Sequence, residues 1–166
     1  MERKLIGKTL MPLLLLIMFA STTSAAATNA VLKIGSSSLG KIVVNGKGMS
    51  AYFFDMDRAN SGVSACTGEC AANWPAITTS TKKPKVVGVK GKVGTIAVKG
   101  GRQVTINGRP IYTFAFDTSP GQVRGQGAQG VWYVISPTGK EIKVLKLATK
   151  SSPAPTKPSA YGRSNY

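Results

Sequence analysis

The sequence predicts an all-β protein: two pseudo-repeated antiparallel β units sharing one core, as a small sandwich or distorted barrel, with a disulfide loop. Three observations predict it. Val, Ile, Thr and aromatic residues recur in short runs along the chain, the composition of half-buried strands. Between the runs stand Asn45-Gly46, Gly100-Gly101, Asn107-Gly108 and Pro137-Thr138-Gly139, whose glycines supply the positive φ that hairpin turns need. Finally, the hexapeptide Y-x-F-x-x-D occurs twice, as Tyr52 to Asp57 and as Tyr112 to Asp117, with Trp74 following 22 residues after Tyr52 and Trp132 following 20 after Tyr112. A repeat of this period points to a duplicated unit, and two copies are too few for a solenoid, so they must share a core.

Residues 1–27 carry the pattern of a cleaved export signal. Arg3, Lys4 and Lys8 precede an apolar run from Leu10 to Ala20, and small residues from Ser21 to Ala27 close it. The run holds Pro12 and is 11 residues long, whereas a membrane-spanning helix needs roughly 20. Ala25 and Ala27 place cleavage after Ala27. No Cys stands at that junction to accept a lipid. The expectation is an exported protein with no transmembrane anchor, in the periplasm or outside the cell.

Residues 28–148 form the domain, with copy one at about 39–77, a cationic insert at about 78–93 and copy two at about 94–136. Strands are expected over Lys41–Val44, Ala51–Asp55, Lys85–Lys90, Thr95–Lys99, Arg102–Ile106, Ile111–Phe116, Val131–Ser136 and Glu141–Leu147. One short helical turn fits between Cys66 and Trp74. Residues 149–166 are rich in Ser, Pro and basic side chains with almost no aliphatic ones, which reads as a flexible basic tail.

On these residues the chain resembles the bacterial secreted repeats, also described as predicted lipoproteins with a Y-x-[FWY]-x-x-D motif. The likeness runs from Leu39 to Ile135. In the first copy it rests on Lys47-Gly48-Met49, the hexapeptide, Cys66-Thr67-Gly68-Glu69-Cys70 and Trp74-Pro75. In the second it rests on Asn107-Gly108-Arg109-Pro110, the hexapeptide, Gly125-Gln126-Gly127 and Trp132-Tyr133. Gln122 stands where similar chains often carry an acid, Ala76 where they often carry a second Pro, and the lipid-attachment Cys is missing. The resemblance implies a fold and an exported setting but no activity.

Within a strand, alternate side chains share a face. Tyr112, Phe114 and Phe116 therefore point one way and Thr113, Ala115 and Asp117 the other, with Tyr52, Phe54 and Met56 likewise opposite Phe53, Asp55 and Asp57. The Tyr and Asp of one motif cannot meet without a bulge. Two readings follow. In one, the aromatics are core and each Asp holds the next turn; in the other, Tyr52, Phe54, Asp57, Trp74, Tyr112, Phe114, Asp117 and Trp132 line a shared aromatic cleft. Cys66 and Cys70, an even pair in an exported chain, are expected to form a disulfide, with thiol redox chemistry or a soft metal as alternatives. The acids from Asp55 to Asp57 alternate as in a calcium loop, but Arg58 intrudes and the bidentate Glu is missing.

Of 166 residues, 22 are Lys or Arg, 6 are Asp or Glu and none is His, a formal charge of +16. Loss of Arg3, Lys4, Lys8 and Glu2 with the signal lowers it only to +14. Without His, Ser-His-Asp and Cys-His catalysis and the common zinc sites fall away. No catalytic residue, metal site or cofactor is expected. For an exported cation the fitting partners are an anionic envelope polymer, a lipid surface or an acidic protein, with nucleic acid a poor fit. The function expected is a non-enzymatic binding or interaction module of the bacterial envelope. The alternatives are a redox accessory using Cys66 and Cys70, or a cationic packing protein.

Overall fold

In a computed structural model, which describes residues 29–143, each half of the molecule opens with a hairpin of the same register. Strands β1 (Leu32–Ser37) and β2 (Gly40–Asn45) pair from Leu32↔Asn45 to Ser37↔Gly40. Strands β5 (Val93–Val98) and β6 (Gly101–Ile106) pair from Val93↔Ile106 to Val98↔Gly101. Each hairpin closes over two residues. β6 then turns through Asn107 and Gly108, both at positive φ (52° and 78°), into the short β7 (Arg109–Pro110), as an Asn-Gly turn of the hairpin type should.

The halves do not fold separately. β3 (Tyr52–Phe54) of the first copy pairs antiparallel with β8 (Trp132–Val134) of the second, Tyr52 opposite Val134 and Phe54 opposite Trp132. In the reciprocal exchange, Ala76 of the first copy bridges Tyr112 of the second. At the centre Tyr52 and Tyr112 face each other: Tyr52 N donates to Tyr112 O at 2.8 Å and Tyr112 N to Tyr52 O at 3.1 Å. Flanking bonds repeat in pairs about this point. Asp55 N donates to Val131 O as Ala115 N does to Asn73 O, and Val43 N donates to Ile135 O as Val104 N does to Ile77 O. The two copies are thus related by a local two-fold axis through the Tyr52–Tyr112 bridge.

The remaining elements are the helical turn α1 (Glu69–Asn73), a 3-10 turn at Ala128–Gly130, and β4 (Thr78–Thr79), which lies on the far side of β6 from β5. Two apolar clusters form the core, and both draw on both copies. One gathers Leu32, Val43, Phe53, Ile106, Ile111 and Ile135; the other gathers Ile42, Tyr52, Trp74, Tyr112, Trp132 and Val134. Arg109 ties the second copy to the first through a bond from Nη2 to Phe54 O (2.8 Å), a guanidinium 4.4 Å over the Phe53 ring and an ion pair with Asp55 (3.3 Å), and it also pairs with Glu141. Burial pushes the Glu141 carboxyl up, but hydrogen bonds with Asp55, Arg109 and Lys143 outweigh it and hold its pKa at about 2.

The all-β, two-unit reading and the disulfide hold: Cys66 and Cys70 are bonded. Two expected strands do not form. Lys85–Lys90 meets β1 only through the bridge of Val86 to Leu32 and is otherwise loop, because its alternation places lysine and glycine beside the valines and neither extends a packed face. Ile111–Phe116 leaves strand geometry after Tyr112, where Asp117 N turns back onto Phe114 O (3.1 Å). Phe116 is consequently exposed instead of sharing the buried face of Tyr112. β1, β4 and β7 form where no strand is expected from the sequence. The signal segment 1–27, the tail 149–166 and the expected strand beyond 143 lie outside the described residues.

Phe53, on the face opposite the motif tyrosines, is 2% exposed and Phe116 is 58% exposed. Phe53→Ala should cost about 3–5 kcal/mol by cavity formation and Phe116→Ala no more than about 0.5 kcal/mol, read as shifts in the urea midpoint.

Candidate functional site

The motif residues converge across the two-fold axis, not within a copy. Tyr52 Oη donates to Asp117 Oδ2 at 2.6 Å, and Tyr112 Oη donates to Asp57 Oδ2 at 2.6 Å. The strand-parity argument kept each tyrosine from the aspartate of its own motif, and the exchange supplies the aspartate of the other. The second carboxylate oxygen closes the loop that follows: Asp57 Oδ1 accepts Ala65 N (2.7 Å) and Asp117 Oδ1 accepts Arg124 N (2.9 Å). All four residues are buried. Burial, with the bond to Asp117, drives the Tyr52 phenol far above its ordinary 10.0, and burial with the bond to Asp57 does the same to Tyr112. Burial also raises the Asp117 carboxyl, against the opposing hydrogen bonds from Tyr52 and Arg124.

The two tryptophans stack on the same axis with centroids 3.8 Å apart and planes within 1°. Phe54 of the first copy stacks on Trp132 of the second (4.2 Å), and Phe114 of the second lies on Trp74 of the first (4.3 Å). Tyr52 and Tyr112 meet these rings edge-on, each at 5.3 Å. Both Trp faces are therefore covered, and Phe54 and Phe114 are half-buried outer members of the stack. The motif residues make a clasp and leave no aromatic cleft between them. Gly125 lies against this stack, where a Cβ would come within 2.5 Å of Trp74. Gln122 does the work of a turn acceptor without a carboxylate, its Oε1 receiving Thr118 N and Ser119 N.

The copies differ beside this clasp. The paired backbone bonds make Val43 equivalent to Val104, so Ile42 and Val44 correspond to Gln103 and Thr105; the capped amides of Ala65 and Arg124 make Val123 the counterpart of Ser64. On the first-copy hairpin, Ile42, Val44 and Val123 join the buried cluster around Tyr52. At the second-copy hairpin the buried Thr105, counterpart of Val44, borders a separate pocket. Gln103 of β6 and Ser64 of the facing loop stand in the places of Ile42 and Val123, and there a cleft of about 550 Å³ opens. Its floor is the row Thr78–Gln103–Ile96 across β4, β6 and β5. Its facing wall is the disulfide loop, with Cys66, Ala71 and the edge of Trp74.

Inside the cleft the polar groups bond to one another. Ser64 Oγ lies 2.7 Å from Tyr112 Oη, and Gln103 Nε2 donates to Ile111 O at 3.2 Å. Of the residues singled out in the sequence, Tyr112, Trp74 and Cys66 border this cleft. Gln103, Ala71 and Lys99, which also border it, were missed. Laying Ile42 against Gln103 would have exposed the polar replacement, because the hairpins share one register. Among the described residues no group of three or more Cys, Asp or Glu side chains is placed to hold a metal ion, and no helix is long and apolar enough to cross a membrane.

A family model described as a secreted repeat of unknown function matches residues 33–78 and 94–136. The matches start in or at the first strand of each hairpin and run past Trp74 and Trp132. No curated protein and no solved structure matches the chain.

The exchanged pairs should couple in double-mutant cycles. Tyr52→Phe with Asp117→Ala, and Tyr112→Phe with Asp57→Ala, are each expected to show about 1.5–3 kcal/mol of coupling, as buried hydrogen bonds to charged groups do. Tyr52 with Asp57 should be additive within about 0.5 kcal/mol; strong coupling there would place the bonds within one copy.

The same tyrosines set an alkaline limit. Below pH 10 folded and unfolded chains both keep the phenol protons; above it the unfolded chain loses them first. Stability should therefore fall with rising pH by about 1.4 kcal/mol per unit for each tyrosine. Tyr52→Phe should halve that slope in urea melts, and an unchanged slope would remove Tyr52 from the account.

Proposed function

The chain belongs to the family of secreted repeats of unknown function, and we propose that it acts as an exported, non-enzymatic binding module whose ligand site is the cleft of the second copy. The observation that carries this reading is the asymmetry of the two copies. One hairpin face is sealed by Ile42, Val44 and Val123, while on the equivalent face Gln103 and Ser64 border open space. A volume of about 550 Å³ is in the range of small-molecule sites, as are mostly apolar walls with a few polar groups.

A binding role fits the chemistry better than catalysis. The hydroxyl of Ser64 has the Tyr112 phenol as neighbour, and a phenol with a strongly raised pKa cannot take its proton as a general base. A redox accessory role for Cys66 and Cys70 is weaker: the two are bonded to each other, and Glu69 beside Cys70 disfavours a thiolate. The signal pattern at 1–27 and the secreted description of the family both support export.

The test uses a neutral apolar fluorophore, N-phenyl-1-naphthylamine, on the full mature chain. Its fluorescence should rise on binding, and Ala71→Trp, which places a large ring at an exposed position on the cleft wall, should abolish the rise without moving the thermal midpoint by more than about 2 °C. Unchanged binding in that variant would put the site elsewhere.

A further inference from the structure

Resting on the reading of the cleft as the ligand site, we propose that its occupant is a small anionic amphiphile: an apolar chain or ring carrying a single carboxylate or phosphate group. The interior argues for the apolar part. Val63, Ala71, Trp74, Ala76, Ile96 and Val98 line it, so most of what a ligand touches is hydrocarbon. The Ser64, Tyr112 and Gln103 side chains already hold partners within the protein. Ser64 Oγ and Tyr112 Oη bond to each other, Tyr112 Oη donates onward to Asp57, and Gln103 Nε2 is held by the Ile111 carbonyl. A buried polar headgroup would have to break these bonds at the cost of leaving a partner unsatisfied, whereas an apolar group inserts without disturbing them.

The rim argues for the anion. Lys99 is the one charged residue among the described residues that line the cleft, and no Asp or Glu lines it. It sits in the two-residue turn between β5 and β6, is exposed, and takes part in none of the ion pairs among the described residues, which belong to Arg109 and Lys143. A cation here meets a headgroup without giving up an existing partner and without being buried. The surroundings reinforce it: Lys82 and Lys83 follow β4, whose last residue Thr79 pairs with Arg102 beside this turn, so the potential at this end favours anions over cations. The apolar lining and the single charge at the exposed turn select a ligand with one apolar end and one charged end, not a long polymer charged along its length.

The experiment compares dodecanoate, dodecyl phosphate, dodecanol and dodecylammonium as competitors of bound N-phenyl-1-naphthylamine, below their aggregation concentrations. The two anions should compete about fivefold more tightly than dodecanol, the upper end for one exposed ion pair, and dodecylammonium most weakly. Lys99→Gln should erase that preference. The ratio of dodecanoate to dodecyl phosphate separates a carboxylate from a phosphate headgroup. Dodecanol competing as well as dodecanoate, or a preference that survives Lys99→Gln, would overturn the anionic assignment and leave the cleft as an apolar site. Failure of the fluorophore and of all four amphiphiles to bind would overturn the cleft reading itself.

Discussion

Two tyrosine hydroxyls, each buried and each donating to an aspartate of the opposite copy, are the constraint on which the molecule is organised. A carboxylate taken out of water is tolerated only when its oxygens are satisfied. Asp57 and Asp117 meet that condition only if the two copies are docked in one register, because one oxygen is capped by a local amide and the other by a phenol from across the axis. The pairs therefore hold two things at once. They fix the loop after each motif, and they fix one copy against the other. A one-residue slip of the Tyr52–Tyr112 bridge would leave both acids without their phenols and turn every side chain of the motif strands to the wrong face.

The stacked tryptophans depend on that register. Trp74 and Trp132 can lie 3.8 Å apart only because the strand after each Trp is paired with the motif strand of the other copy. Phe54 and Phe114 then cover the outer faces, each from the opposite copy. The loops between Asp and Trp deliver this geometry by different means. The first uses a disulfide and the turn of α1, with Trp74 N bonded to Cys70 O (2.8 Å). The second uses glycines, of which Gly125 lies directly on the stack where no side chain fits.

Much of this was legible in the sequence, and the parts that were not have physical reasons. The hairpin turns could be read from Asn107-Gly108 and Gly100-Gly101 because positive φ has few other solutions. Strand parity kept Tyr52 from Asp57, an outcome that holds although the chain turns after Phe54, but parity within one strand says nothing about which distant acid the hydroxyl reaches. β1 was missed because Gly35, Ser36 and Ser37 dilute its alternation; it forms because Leu32 is buried in the core and because Gly35 lets Val44 of β2 pack where a Cβ would lie at 2.7 Å. Lys85–Lys90 shows the converse, a strand-like pattern with a single bridge to pair with. The cleft was invisible for a different reason. Its residues carry no motif, and they stand out only when one hairpin is laid on the other in the register that the fold imposes.

That last point separates what the repeated residues do from what the unrepeated ones do. Tyr, Phe, Asp and Trp occur at matched positions of both copies because the two-fold clasp needs each of them twice. A residue required by symmetry carries little information about a single ligand, since a symmetric requirement would give two sites. On the proposed binding reading, ligand chemistry lies where the copies diverge beside the cleft: Gln103 in place of Ile42, Ser64 in place of Val123, and Lys99 in the turn where the first hairpin has Ser38 and Leu39. Each of these replaces an apolar or neutral group by a polar or charged one, and all lie on one hairpin and the loop that faces it. The first copy thus supplies the packing that a second core face would otherwise have to provide. Sealing one hairpin face with Ile42, Val44 and Val123 is what permits the other to remain open without costing the molecule its core.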